Sequence, residues 1–218
     1  MPFAGISFAA LDFYEDLEAD NSKSFWTAHR SIYDEQVKAP LQELAAELAE
    51  EFGSAKFFRP FRDVRFAKDK TPYKTHQGVY FAESRRYLQV SAAGLYASGG
   101  YYDMASDQLA RYRRAVGEEL PGQSLVQAIK LATKSRLELR GEQLSRIPSG
   151  FAKDHPRQEL LRHKSVWATR EFGCPDWLQT PRAKAELVRA WRAMQPLIDW
   201  LDKNVGPSDL PVARRGER

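Results

Sequence analysis

The chain has 218 residues, 43% of them hydrophobic and 28% charged, and carries a formal net charge of +4. No apolar run is long enough to span a bilayer, so neither a helical membrane protein nor a membrane partner is expected. The single cysteine, Cys174, excludes an internal disulfide and a cysteine metal cluster. The N-terminus lacks a basic region followed by an apolar one, which makes the cytoplasm the expected compartment.

"SFAALDFYEDLEAD" (7–20) has the spacing of a short amphipathic helix, and "DNS" (20–22) breaks it and offers caps for the next. Phe25, Trp26, Ile32, Tyr33 and Val37 fall on one side of that second helix. Pro40 removes a donor and disfavours helix at Ala39, so a kink or restart is predicted there. Leu41, Leu44, Ala45, Leu48, Ala49 and Phe52 then form a core-facing stripe that Gly53 ends.

The period changes next. "FFRPFRDVRFA", "QGVYFAE", "RYLQVSAA" and "GLYASGGYY" read as strands of an antiparallel sheet joined by short loops. "DMASDQLARYRRAVGEEL" is a helix capped by Asp103 or Ser106, and another helix runs from about Gly122 to Lys134. "LELRGEQLSRI" predicts one or two short strands around Gly141, "DHPRQELLRHK" a short helix with Pro156 near its first turn, and "SVWATREF" a strand. The last helix runs from about Pro181 to Asn204 with a kink at Pro196. The expected fold is α+β: a single domain over 1–204 with a central, mostly antiparallel sheet flanked by N-terminal and C-terminal helices. Residues 205–218 have little to bury and are expected to form a flexible tail.

Three stretches could carry chemistry. In "RDVRFAKDKTPYKTH" (62–76), strand alternation turns Val64 and Phe66 toward the core and Asp63 and Arg65 the other way. Pro72 makes the remainder a turn carrying Lys68, Lys70 and Lys74, with hydroxyls from Thr71, Tyr73 and Thr75. Cations and short donors on a turn suit a phosphate or carboxylate, although a hydrated, locally paired hairpin has the same composition. In "YASGGYYDM" (96–104), Gly99 and Gly100 permit close backbone approach, and Tyr101 and Tyr102 could meet a ligand; a plain strand-to-helix turn also needs such glycines. In "GFAKDHP" (150–156), His155 beside Asp154 could move protons, while Asp154 alone reads more simply as a cap of the helix opened by Pro156.

Other chemistries lack their patterns. His29, His76, His155 and His163 have no zinc-protease or facial-triad spacing, and no metal site is expected. There is no nucleophile elbow, no Walker or dinucleotide fingerprint, and no cysteine-protease context around Cys174. Asp63, Asp69, Asp103 and Asp154 could share a magnesium ion, but their cationic neighbours point to ion pairs.

"NSKSFWTAHRSIY", "FRDVRFAKDKTPYKTH", "VSAAGLYASGGYYDM" and "PSGFAKDHPRQELLRHK" occur in this order in a bacterial family, the domain-of-unknown-function family numbered 2461. The chain resembles that family from about Phe8 to Trp200, with Phe25-Trp26 in the reverse of a common order. The resemblance implies that the 62–76 block is a defining feature and carries over no activity, cofactor or catalytic residue.

Three functions follow as expectations, and none fixes a cofactor, an oligomeric state or whether the protein is an enzyme. The first is a protein that binds, or acts on, an anionic or phosphorylated small molecule. Arg62, Asp63, Arg65, Lys68, Lys70 and Lys74 would hold it, His76 or His155 would shuttle protons, and Tyr73, Gly99, Gly100, Tyr101 and Tyr102 would line the pocket. The second is a non-catalytic scaffold or interaction module, with Asp63 and Asp69 paired to Arg62, Arg65 and Lys68 as a structural network. The third, less favoured, is a nucleic-acid binder, for which the isoelectric point near 9.1 and interleaved aromatics speak.

Overall fold

The computed structural model describes residues 2–210. In chain order its elements are α1 (Phe8–Ala19), α2 (Lys23–Ala28), α3 (Arg30–Ile32), a π-helical turn (Tyr33–Lys38), α4 (Ala39–Phe52), β1 (Ala55–Phe57), β2 (His76–Phe81), β3 (Arg86–Ser91) and β4 (Gly94–Tyr101). There follow α5 (Ser106–Gly117), α6 (Glu119–Lys134), β5 (Glu138–Arg140), α7 (Gln158–Leu161), β6 (Val166–Gly173), a 3₁₀ turn (Asp176–Gln179), α8 (Arg182–Ala193) and α9 (Gln195–Asn204). The strands make a six-stranded antiparallel sheet in the order β1-β2-β3-β4-β6-β5, so the fold class is α+β as expected. The residues divide into two compact units: those up to Ser98 with Arg170–Arg192, and Gly99–Thr169 with those from Ala193 on.

In the first unit, period-two burial gives the sheet two unlike faces. Gln77, Val79 and Phe81 of β2 and Arg86, Leu88 and Val90 of β3 are buried, while Tyr80, Tyr87, Gln89 and Ser91 stay half-buried. The register pairs buried with buried (Val79 with Leu88, Phe81 with Arg86) and Tyr80 with Tyr87. Helix α4 supplies Leu41, Leu44 and Leu48 to the core, as the stripe predicts, and α8 supplies Leu187 and Trp191. Arg86 is the exception, a fully buried arginine whose Nη2 donates to the Trp191 carbonyl at 2.8 Å and whose Nη1 donates to the Ser84 carbonyl at 3.0 Å. The restart predicted at Pro40 takes the form of the π-helical turn. Pro40 has no N–H to give, and the Ala39 N–H reaches the Asp34 carbonyl, five residues back.

The expected strand over 62–67 does not form. The chain leaves the sheet after β1, forms the isolated Phe61–Tyr73 bridge outside the strands, and loops out between those two residues. Phe66 is 87% exposed, so it and the half-buried Val64 are not core residues. Alternation predicts burial only where a sheet neighbour completes the ladder, and this loop bonds to itself instead.

In the second unit, Tyr112 and Val116 of α5, Leu125 of α6, Leu161 of α7 and Leu197, Ile198 and Leu201 of α9 are buried. At the start of α5 the N-cap is Ala105, whose N–H donates to Gln108 Oε1 at 2.9 Å, where the sequence predicts Asp103 or Ser106. The short strands around Gly141 are β5 and a bridge between Gln143 and His163. Helix α7 begins at Gln158, later than the sequence predicts, and no side chain caps it, so Asp154 does not play that part. Within the 205–218 segment, Val205 and Pro207 give their carbonyls to Arg111, and Ser208 and the Asp209 N–H donate to Asp107. Residues 211–218 of the expected tail lie outside the described residues.

Candidate functional site

Most charges of the 62–76 block are satisfied within it. Arg62 pairs with Asp69 and also reaches Thr71 Oγ1. Arg65 Nε and Nη2 donate to Asp63 Oδ1 and Oδ2 at 3.0 and 2.7 Å, a bidentate pair. Lys70 Nζ donates to the Val64 carbonyl at 3.0 Å, and Lys68 is exposed. Asp69 Oδ1 also accepts from the Thr71 N–H at 2.9 Å. The arginine pairing, ahead of the backbone N–H contacts, holds both carboxyls down at about 2.

The base of the loop is clamped from the N-terminal helices. Asn21 accepts from the Tyr73 N–H at 3.0 Å and donates to its carbonyl at 3.1 Å. Trp26 stacks on the Tyr73 ring at 4.4 Å. Tyr33 donates to Gln77 Oε1 at 2.6 Å, and Gln77 Nε2 donates to the Phe58 and Gly78 carbonyls at 2.9 and 2.8 Å. Asn21, Trp26, Tyr33 and Gln77 have no local signal of these roles, because their partners lie far along the chain. Asn21 was legible only as part of a helix start.

Lys74 and His76 differ from the paired charges. Between the contact of Phe58 with Gly78 and the bridge of Phe61 with Tyr73, one strand advances three residues and the other five. Two extra residues therefore bulge on the β2 side, and bulges re-aim the side chains they carry. Lys74 Nζ lies over the Phe58 ring, 5.4 Å from its centroid. Burial, then the nearby charge of Arg59, lowers the Lys74 pKa; burial, then Lys74, lowers that of His76. Among the described residues, no carboxylate forms a salt bridge with Arg59, Lys74 or His76. The charge of Arg59 is felt by Asp63, which is already paired with Arg65. Arg59 and Phe58 escape a search confined to 62–76, yet "FFRPF" just before it carries the same mixture of aromatic and basic residues.

The other predicted residues lie mostly in the second unit. Gly99 is buried, and Gly100 has φ +143° with the Val166 carbonyl 2.5 Å from where a Cβ would stand, so close strand approach requires glycine there. The Tyr101 hydroxyl donates to Asp202 at 2.8 Å, and exposed Tyr102 packs 4.9 Å from Trp167. His155 Nδ1 accepts from the Arg157 N–H at 3.0 Å, and Asp154 is exposed. His155 also lines a depression of about 570 Å³ with Arg113, Arg114 and Phe151. Arg157, which the sequence reading passed over, is buried and gathers the end of α5: Nε donates to the Val116 carbonyl at 2.7 Å and Nη2 to those of Gly117 and Glu118 at 3.2 and 3.3 Å.

The model of the family described as "Conserved hypothetical protein (DUF2461)" matches residues 9–200. The chain belongs to that family. No curated protein and no solved structure matches this DUF2461 chain. Among its described residues, no helix is long and apolar enough to cross a membrane, and no group of three or more His, Cys, Asp or Glu side chains could hold a metal ion.

Proposed function

We propose that this DUF2461 protein binds an anionic, phosphorylated or carboxylated small molecule at Arg59, Lys74 and His76. One observation supports the reading: the bulge before β2 presents two half-buried basic side chains near the exposed Arg59, and among the described residues no carboxylate forms a salt bridge with any of the three. Partly buried like charges repel and lose hydration, and a bound anion relieves both costs. The neighbouring Arg62 and Arg65 already have carboxylate partners and serve to shape the loop.

The test is a thermal-shift titration with inorganic phosphate. Expected is a rise in melting temperature that follows mass action and weakens with added salt. Lys74→Ala removes the rise, whereas Arg65→Ala keeps it. If neither phosphate nor a panel of acidic metabolites raises the melting temperature, the proposal fails.

A second reading has its own support. The Arg62–Asp69 and Arg65–Asp63 pairs and the Asn21 clamp on Tyr73 form a network that could serve an interaction module without any ligand. That reading predicts that Lys74→Ala is silent.

A further inference from the structure

The half-buried face of the first unit's sheet continues away from the basic cluster as a row of aromatic rings. The Phe58 ring, which Lys74 Nζ overlies at 5.4 Å, lies 6.2 Å from Tyr87, and Tyr87 lies 6.2 Å from Tyr96. Tyr80 is the direct cross-strand partner of Tyr87 on one side and of Lys56 on the other. Phe58 is 37% exposed, and Tyr80, Tyr87 and Tyr96 are half-buried.

Gly78 makes the row possible. It stands between His76 and Tyr80 on β2, and a Cβ there would come 2.5 Å from Tyr87 Oη, so Tyr87 lies across the strand only because this position has no side chain. Tyr87 is held in that pose by donating to Gln89 Oε1 at 2.9 Å. The surface therefore combines rings open on one side with a basic end formed by Arg59, Lys74 and His76. The ring planes are tilted, by 49° between Phe58 and Tyr87 and 69° between Tyr87 and Tyr96, so a flat ligand ring stacks on one and meets the next by its edge, and the cations beside them suit a ring joined to an anion.

We propose that the ligand of this site is a nucleoside phosphate, its base packed against the Phe58, Tyr87 and Tyr96 rings and its phosphate at Arg59, Lys74 and His76. This rests on the reading of the basic cluster as an anion site and adds the ligand class. Free nucleotide and the nucleotide units of a single strand share this chemistry: stacking is tolerant of base identity, and the cations meet one phosphate at a time.

The experiment is calorimetric titration of the full chain with inorganic phosphate, ribose 5-phosphate, adenosine and uridine 5′-monophosphates, and an oligothymidylate. Each nucleotide is expected to bind about tenfold or more tightly than ribose 5-phosphate, the increment of one stacked base. Phe58→Leu and Tyr96→Leu, which keep an apolar side chain, each reduce that advantage; Tyr96→Leu leaves ribose 5-phosphate affinity unchanged, whereas Phe58→Leu also lowers it by removing the ring beneath Lys74. Tighter binding of the oligothymidylate than of the monophosphates assigns the site to a single strand, and the reverse order assigns it to free nucleotide; both uphold the proposal. If ribose 5-phosphate binds as tightly as the nucleotides, the base contributes nothing and the nucleotide assignment is overturned while the anion site stands. If no phosphate compound binds, both are overturned. Should either variant fail to fold, the comparison of nucleotide with ribose 5-phosphate on the unaltered protein still decides.

Discussion

The indole of Trp26 lies face to face with the phenol ring of Tyr73, their centroids 4.4 Å apart and their planes 9° from parallel. Two stretches far apart in the sequence, 21–33 and 61–76, meet at that contact. Asn21, five residues before the indole, holds both backbone polar groups of the same tyrosine. The start of the second helix is therefore a clamp on the base of the 62–76 loop.

Asn21→Ala removes both hydrogen bonds and leaves the Tyr73 N–H and carbonyl to find water at a half-buried site. The expected loss is about 2 kcal/mol of unfolding free energy, read from urea denaturation. Faster hydrogen exchange at the Tyr73 amide would place the loss at the clamp, and an unchanged exchange rate would contradict it.

His76 titrates below the usual histidine range of about 6.5 because of burial and, second, the Lys74 charge. Folded His76 binds its proton less readily than unfolded His76, so its contribution to stability is present above about pH 6.5 and is lost as the pH falls through the folded value. The imidazole signal of His76 in nuclear magnetic resonance should have a midpoint below 6.5. Saturating phosphate and Lys74→Ala should both move that midpoint upward. A midpoint that ignores phosphate would count against an anion beside His76.

Burial, ahead of repulsion from Asp34, pushes the Tyr33 hydroxyl up to about 12, and burial raises Tyr14 and Tyr112 as well. Between about pH 10 and 12 the unfolded chain has released the Tyr33 proton while the folded chain keeps it. The unfolded state then binds fewer protons, so stability falls with rising pH, by at most about 1.4 kcal/mol per pH unit for this one group. Absorbance titration should show these tyrosines ionising only with unfolding. Tyr33→Phe should flatten the alkaline slope while leaving Gln77 one partner short.

Arg157 gathers three carbonyls at the end of α5 and pairs with Glu119 at 3.2 Å while only 8% exposed. Arg157→Ala takes a donor from each of those carbonyls, of which, among the described residues, only Glu118 keeps another, from the Gly122 N–H, and should cost about 3 kcal/mol or more in chemical denaturation. Arg157→Lys should recover little, because one ammonium cannot reproduce a planar fork of donors. Full recovery by lysine would mean that charge alone matters here.

Periodicity determined the helices and the sheet, because burial on one face leaves a mark every second or every three to four residues. The stripe of α4, the alternation in β2 and β3 and the break at Pro40 were all legible that way. Which charges in that block pair was not legible. Arg62 meets Asp69, Arg65 meets Asp63, and Lys74 meets neither, because the loop closes on itself and carries Phe66 into solvent. Nor could periodicity place Asn21 against Tyr73, a contact spanning 52 residues. Local sequence sets which side chains want burial or a partner. Only the folded chain decides which partner is within reach, and among the described residues it gives Arg59, Lys74 and His76 no salt bridge.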